Sequence, residues 1–453
     1  MEPQSPDVPS PADAGFQEVV RKGALAFVFK TLGALLFFAF QVLLARARGP
    51  SGVGAFYLAL TVMLVASVLG RAGLDNAVLR FSAAASAHGE RKQVAGLYRT
   101  SMRTCVLWSS IVTVVLVLGA RLLATLFHER VLVTPLRLMA LAVIPTGVVI
   151  LHAQMLKGLR STGSGVFLES CAIPFLGVAL YLGAWTIGIA TETAAVLCYV
   201  VATFVAAFLA YWMLRRTAPW HPGERGRFDG DLLSRTTRPL LVVALVDPLA
   251  MWSGVFVLGI MRNSHDVGVF GSVWRMALLL TWVQVSANMI AGPKYAAFAA
   301  RQDWSATTVV ARKTARAVTA IMTPAFVVFV AAPHLVLRVF GRGFQHGATA
   351  LVILAAGQFV NVVTGPVTSM LMMAGQERMV RTIAVSSLAL SVAIQASLVP
   401  ALGITGAAIG TTVGLIVANV AAAVVVYRRL GVVIWPLPLR RSERDMSAPA
   451  RAG

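Results

Sequence analysis

Charge is scarce in this sequence. Asp, Glu, Lys and Arg make up 13% of its 453 residues, about half the share of a water-soluble domain. With 58% hydrophobic residues and a mean hydropathy of +0.78, too little polar side chain is left to cover a folded surface. The outside of the protein must therefore be lipid, and a soluble globular domain is excluded. Acids are the scarcer sign: 18 Asp and Glu stand against 39 Lys and Arg, a formal charge of +21. In a soluble chain that excess would suggest nucleic acid. No basic-aromatic module supports such a partner here, so no nucleic acid is expected. The basic residues read instead as loops that hold the cytoplasmic face of a membrane and its anionic lipids.

Cysteine is also rare. Cys105, Cys171 and Cys198 lie in or beside hydrophobic segments without metal-ligand spacing. They read as small buried apolar residues, not as disulfides or ligands. No Walker A loop, HExxH, dinucleotide fingerprint or Ser-His-Asp grouping is found. The seven histidines are scattered, and His152 alone lies well inside a hydrophobic segment. No catalytic site, metal or cofactor is expected, and the chain does not read as an enzyme. If it moves a cargo, the drive must come from the cargo's own gradient, the membrane potential, or coupling to H+ or Na+.

What the chain has in abundance is apolar segments of about 20 residues, the length that spans a bilayer. The first half gives 23–45, 53–74, 104–123, 132–156, 165–187 and 193–214; the second gives 238–260, 267–291, 317–337, 347–373, 380–399 and 406–427. The expected fold is all-α: a polytopic membrane protein of about 12 transmembrane helices in two six-helix bundles. The expected layout is a disordered leader at 1–20, a bundle at 21–214, a cytoplasmic linker at 215–237, a second bundle at 238–427 and a basic tail at 428–453.

The halves repeat. VGAFYLALTVMLVASVLGRAGLDNAVLR, Val53–Arg80, aligns without a gap on the segment that starts at Val267, by a shift of 214. Val53 falls on Val267, Gly54 on Gly268, Phe56 on Phe270 and Arg80 on Lys294. Each half has an even number of spans, so both enter the membrane in the same sense. The pseudo-two-fold axis should then run along the membrane normal, as in parallel-repeat transporters.

Basic residues set the orientation. With the N-terminus inside, cytoplasmic segments hold 28 of the 39 Lys and Arg. Both termini are therefore expected in the cytoplasm. The stretches Gly89–Arg103 and Arg301–Arg316 are either amphipathic helices on the inner membrane surface or solvated basic loops.

A charge at the bilayer centre costs about 2.5–3.5 kcal/mol on insertion scales. Such residues line a cavity, pair, or reach for the interface. The cations are Lys30, Arg71, Arg80, Arg137, Arg275 and Lys294; the acids are Asp247 and Glu169. Arg71 and Asp75 are spaced to pair on one helix face. Arg275 shares a helical face with Gly271, Trp282 and Ser286. The cationic excess suits an anionic cargo such as a phosphate or pyrophosphate head group. Asp247, next to Pro248, is either the ion-coupling carboxylate or a fixed partner for an intramembrane cation.

The run LLARARGPSGVGAFYLAL, with Arg46, Gly49, Pro50, Gly54 and Phe56, is similar to the opening of bacterial polysaccharide flippases. LGRAGLDNAVLRF, with Gly73, Leu74 and Arg80, resembles that family's Gly-Leu segment, and MLKGLRSTG (Met155–Gly163) its helix-four exit. The resemblance spans nearly the whole chain. It implies the polysaccharide branch of the multidrug/oligosaccharidyl-lipid/polysaccharide (MOP) superfamily, the O-antigen and exopolysaccharide flippases. The implied cargo is an undecaprenyl-pyrophosphate-linked oligosaccharide, moved from the inner to the outer leaflet of the cytoplasmic membrane by alternating access. Implied partners are polysaccharide polymerase and export proteins. The lipid II flippases of the superfamily usually carry two more helices than this chain has room for. A cation-coupled drug or metabolite antiporter is the alternative; it needs several cavity acids, and Asp247 and Glu169 are the two at hand.

Overall fold

The computed structural model describes residues 11–218, 226, 228–301 and 303–431. Among them every regular element is helical. Eleven helical stretches are long and apolar enough to cross a membrane. The first, Gly23–Arg71, holds two of the spans. As one straight helix its 49 residues would run about 74 Å, more than twice the hydrocarbon core. The chain turns back instead at Gly49–Pro50. Gly49 has φ +67° and ψ −170°, a conformation that a Cβ would strain. Pro50 then supplies the fixed φ that suits a first helical turn. The rings of Phe40 and Phe56 record the reversal. Their centroids are 5.3 Å apart, where an unbroken helix would hold them about 24 Å apart. Among the described residues the fold is thus an all-helical membrane bundle of twelve spans.

The second half follows the first in register. The third to sixth spans are Arg91–Leu126, Arg130–Gly158, Thr162–Thr186 and Glu192–Thr217. The ninth to twelfth are Trp304–Ala331, Arg342–Thr364, Glu377–Leu402 and Ile404–Leu430. Each begins 212–215 residues after its counterpart. The seventh (Ala244–Met261) and eighth (Ser264–Val285) complete the set. Asn263 starts the eighth by accepting a hydrogen bond from the Asp266 amide at 3.0 Å, which satisfies one of the free amides of a helix start.

The third and ninth spans begin earlier than hydropathy suggests. The basic stretches at 89–103 and 301–316 are largely their first turns, neither separate surface helices nor loops. Lys and Arg are good helix formers and can extend toward the head groups from such a turn. The separate short helix is Leu74–Ala87, entered through Gly73 at φ +75°. The opening helix starts at Pro11, within the stretch that composition assigns to the leader. Most of the linker loop and the tail from 432 lie outside the described residues.

Candidate functional site

The second and eighth spans meet along a seam of equivalent positions. A Cβ on Gly54 would strike the Ser264 carbonyl oxygen and come 3.0 Å from the Gly268 nitrogen. A Cβ on Gly268 would strike the Pro50 carbonyl oxygen and come 2.8 Å from the Gly54 nitrogen. Three residues along, a Cβ on Gly271 would meet the Tyr57 ring at 2.7 Å. Positions 50, 54 and 57 thus pack on 264, 268 and 271, each pair related by the repeat of 214. The spacing of four and three keeps one helix face in contact. Four positions further on the repeat is broken in sequence: Thr61 is the equivalent of Arg275.

Arg275 is held between two aromatic rings. Its guanidinium lies 4.6 Å from the Phe37 centroid and 4.8 Å from that of Trp252. Phe37 comes from the first span and Trp252 from the seventh, so both halves grip the cation. The Tyr57 ring lies 6.0 Å from Trp252. Arg275 Nε, Tyr57 Oη and Ser272 Oγ are buried polar atoms that make no well-formed hydrogen bond, although the Tyr57 hydroxyl is within reach of both Ser272 and Arg275. Buried polar groups this weakly satisfied are costly to keep, and here they set hydroxyl donors beside a positive charge. Oxyanions are bound by that combination.

The other cations are placed differently. Arg71 is half-buried and donates to both Asp75 carboxylate oxygens at 2.9 and 3.0 Å and to the Ser67 hydroxyl. Lys30, Arg80 and Arg137 are exposed side chains on their helices, as is Asp247. Lys294 lies in the helix Trp282–Ala300, but its side chain falls outside the described residues. Glu169 is tied to Lys157 at 2.8 Å. Among the described residues no group of three or more His, Cys, Asp or Glu is arranged to hold a metal ion.

A second feature lies inside the C-terminal half. A cavity of about 450 Å³ opens between the seventh, eighth and tenth to twelfth spans. Its polar wall is neutral, with Gln284, Asn288, Gln358, Asn361, Ser391 and Asn419 prominent. The tenth span breaks here at Gly365, φ +72° and ψ −159°, the geometry of Gly49 repeated before a second proline. The Gln284 amide Nε2 donates to the Asn361 carbonyl at 3.2 Å and approaches that of Gly365 at 3.5 Å. Asn361 Nδ2 donates to Gln358 Oε1 at 3.4 Å. The Thr364 hydroxyl donates to Asn419 Oδ1 at 3.3 Å. A weighing of charges alone passes over these residues. Their signal in the sequence is the run of amides, Gln284, Asn288, Gln358, Asn361, Gln395 and Asn419, within apolar spans, since polar side chains in a bilayer need partners.

Comparisons with known proteins agree with this architecture. The family model described as polysaccharide biosynthesis protein matches residues 19–293, more than half of the chain. An inward-facing multidrug resistance MATE family transporter of the MOP superfamily superposes with a TM-score of 0.72 at 14% identity, over 90% of this chain and 98% of that one. The lipid II flippase MurJ, in an inward closed conformation, gives 0.73 at 11% identity, over 89% and 87%. A MOP superfamily transporter from Pyrococcus furiosus, described as having a binding pocket of reverse polarity, gives 0.63 at 14% identity, over 92% and 96%. Comparison with curated protein sequences returns no match.

Proposed function

Because this chain belongs to the polysaccharide biosynthesis protein family, we propose that it is a flippase for a polyprenyl-pyrophosphate-linked oligosaccharide. An O-antigen or exopolysaccharide repeat unit on undecaprenyl pyrophosphate would pass from the inner to the outer leaflet of the bacterial cytoplasmic membrane. The observation that carries this reading is Arg275, a cation fixed between Phe37 and Trp252 where the two halves meet. A guanidinium offers several donors in a planar fork that fits phosphate oxygens, and burial between rings strengthens its field.

In this reading the diphosphate engages Arg275 while the polyprenyl tail stays in lipid. Rocking of the two halves about the Gly54–Gly268 seam exposes the passage to each side in turn. Lys30, Arg71, Arg80, Arg137 and Lys294 are the remaining cations proposed along the route, with Asp247 as the carboxylate for H+ or Na+ coupling. Both termini are in the cytoplasm, and the working partners are anionic lipids and the polymerase and export proteins that take up the glycan. A cationic cargo is disfavoured, because Glu169 is occupied by Lys157 and Asp247 stands alone.

The test is glycan export in a deletion strain carrying Arg275→Ala or Arg275→Lys. Arg275→Ala should abolish export and leave lipid-linked intermediates on the inner leaflet while the protein still inserts. Arg275→Lys should retain part of the export. Normal export with Arg275→Ala would overturn the reading.

A further inference from the structure

The cavity in the C-terminal half has a chemistry unlike that of the Arg275 cluster. No Lys or Arg appears among the described residues that line it, and no Asp or Glu. A phosphate would find no positive charge there, and a metal ion no carboxylate. What the wall offers is amides and hydroxyls: Gln284, Asn288, Gln358, Asn361, Ser391 and Asn419. Each amide carries both a donor and an acceptor end. A sugar hydroxyl is likewise donor and acceptor at once, so amides and hydroxyls are matched sets.

The backbone supports a ligand at this place. A membrane helix tolerates a break only where its freed groups are buried in protein or line a cavity. The break at Gly365–Pro366 does both, and the Gln284 side chain is spent on its carbonyls. Discontinuous spans that border a cavity commonly mark binding sites. Trp274 adds an apolar face to the wall, and its buried indole N–H has no hydrogen-bond partner. Flat indole faces suit the C–H faces of sugar rings. The volume of about 450 Å³ falls within the range of roughly 300–1,000 Å³ typical of small-molecule sites.

We infer that this cavity is a binding site for the uncharged, hydroxyl-rich part of a glycan. The inference rests on the flippase reading for its place in transport. Trp274 lines the cavity while its neighbour Arg275 lies in the seam, about 100° around the same helix. One cargo can therefore present a diphosphate to the seam and its first sugars to the C-terminal half.

The test is saturation-transfer NMR on the whole protein in lipid nanodiscs, free of glycoside detergents whose head groups would compete. The probes are free glucose, galactose, mannose, rhamnose and N-acetylglucosamine at millimolar concentration. At least one should receive transfer from the wild type. Asn288→Leu should weaken it by roughly tenfold. Ala418→Phe, which fills the cavity without removing a polar group, should abolish it. Thermal melts and gel filtration confirm that both variants fold. Transfer to none of these sugars, or transfer that survives Ala418→Phe, would overturn the inference. So would stabilisation by sodium alone that is lost with Asn361→Leu, which would make the cavity a cation site. Sugar binding that persists when export proves independent of Arg275 would remove the flippase reading and leave this site standing.

Discussion

Gly54 and Gly268 pack backbone against backbone: a Cβ on either would come within 3.0 Å of the other's nitrogen and strike a carbonyl of the facing helix. The two residues are equivalents under the 214-residue repeat, and equivalent residues touch only at a symmetry axis. Their contact therefore places the pseudo-two-fold between the second and eighth spans. Close approach of backbones is the main attraction between helices in lipid, where no hydrophobic effect drives them together.

The first prediction follows from that contact. Gly54→Ala or Gly268→Ala forces the spans apart, because the obstructing atoms are backbone carbonyls that cannot swing away. Each should cost about 1–3 kcal/mol, seen as a lower melting temperature in nanodiscs. Gly119→Ala is the control. A Cβ there meets nothing within 4 Å, so the change should be neutral or stabilise by up to ~1 kcal/mol through helix propensity. Equal melting temperatures for all three variants would dismiss the seam.

Much of this could be read from the sequence. The spans, the repeat and the Gly49–Pro50 turn are local signals, since hydropathy, glycine and proline act within a few residues. Arg275 was legible as an intramembrane charge with a polar face. That Phe37 and Trp252 clasp it was not, because those contacts join residues more than 20 positions from it in the chain. The pairing of Arg71 with Asp75 was visible because four residues make one helical turn. The amide cavity escaped because neutral polar residues carry no net charge to count.

The rings around Arg275 give the second prediction. A cation held over an aromatic face gains about 0.5–1 kcal/mol at an exposed site and about 2 kcal/mol when desolvated. Trp252→Leu keeps the charge and loses one face of the clasp. Pyrophosphate binding by the purified protein, measured by calorimetry, should weaken by roughly two- to thirtyfold. Phe37→Leu should act in the same direction with a smaller effect, since Trp is the stronger partner. An unchanged affinity in both would show that the rings pack the helices without positioning the cation.

The broken tenth span gives the third. Gln284→Leu leaves the Asn361 and Gly365 carbonyls without the amide that serves them, at a cost of about 1–3 kcal/mol. Gly365→Ala strains a backbone at φ +72° and ψ −159°, a region nearly confined to glycine, at about 1–3 kcal/mol. Both variants should melt lower than Asn288→Leu, whose side chain lines the same cavity without serving the break. If the three melt alike, the break is not what Gln284 supports.

The fourth concerns the end of the molecule that carries Gly49. Contacts between the halves gather there. The Arg46 Nε donates to the Val339 carbonyl at 3.0 Å, the Phe38 and Phe340 rings lie 5.4 Å apart, and the Glu129 carboxylate accepts the Ser264 amide at the start of the eighth span. That last bond sets a negative charge on a helix N-terminus, where the dipole favours it, and it does so across the two halves. Glu129→Ala removes the charge and the bond without touching the passage, so it should release this end and raise the population open toward it. The gauge is a cysteine at Ser272, fully buried in the seam, in a background with Cys105, Cys171 and Cys198 replaced by Ala. In the proposed orientation, which puts the Gly49 end outside, a membrane-impermeant maleimide added to intact cells should label Ser272→Cys slowly, and several-fold faster when Glu129→Ala is added. Labelling that stays slow in the double variant would mean that the seal is made by the glycine seam alone, and that Glu129 caps a helix and nothing more.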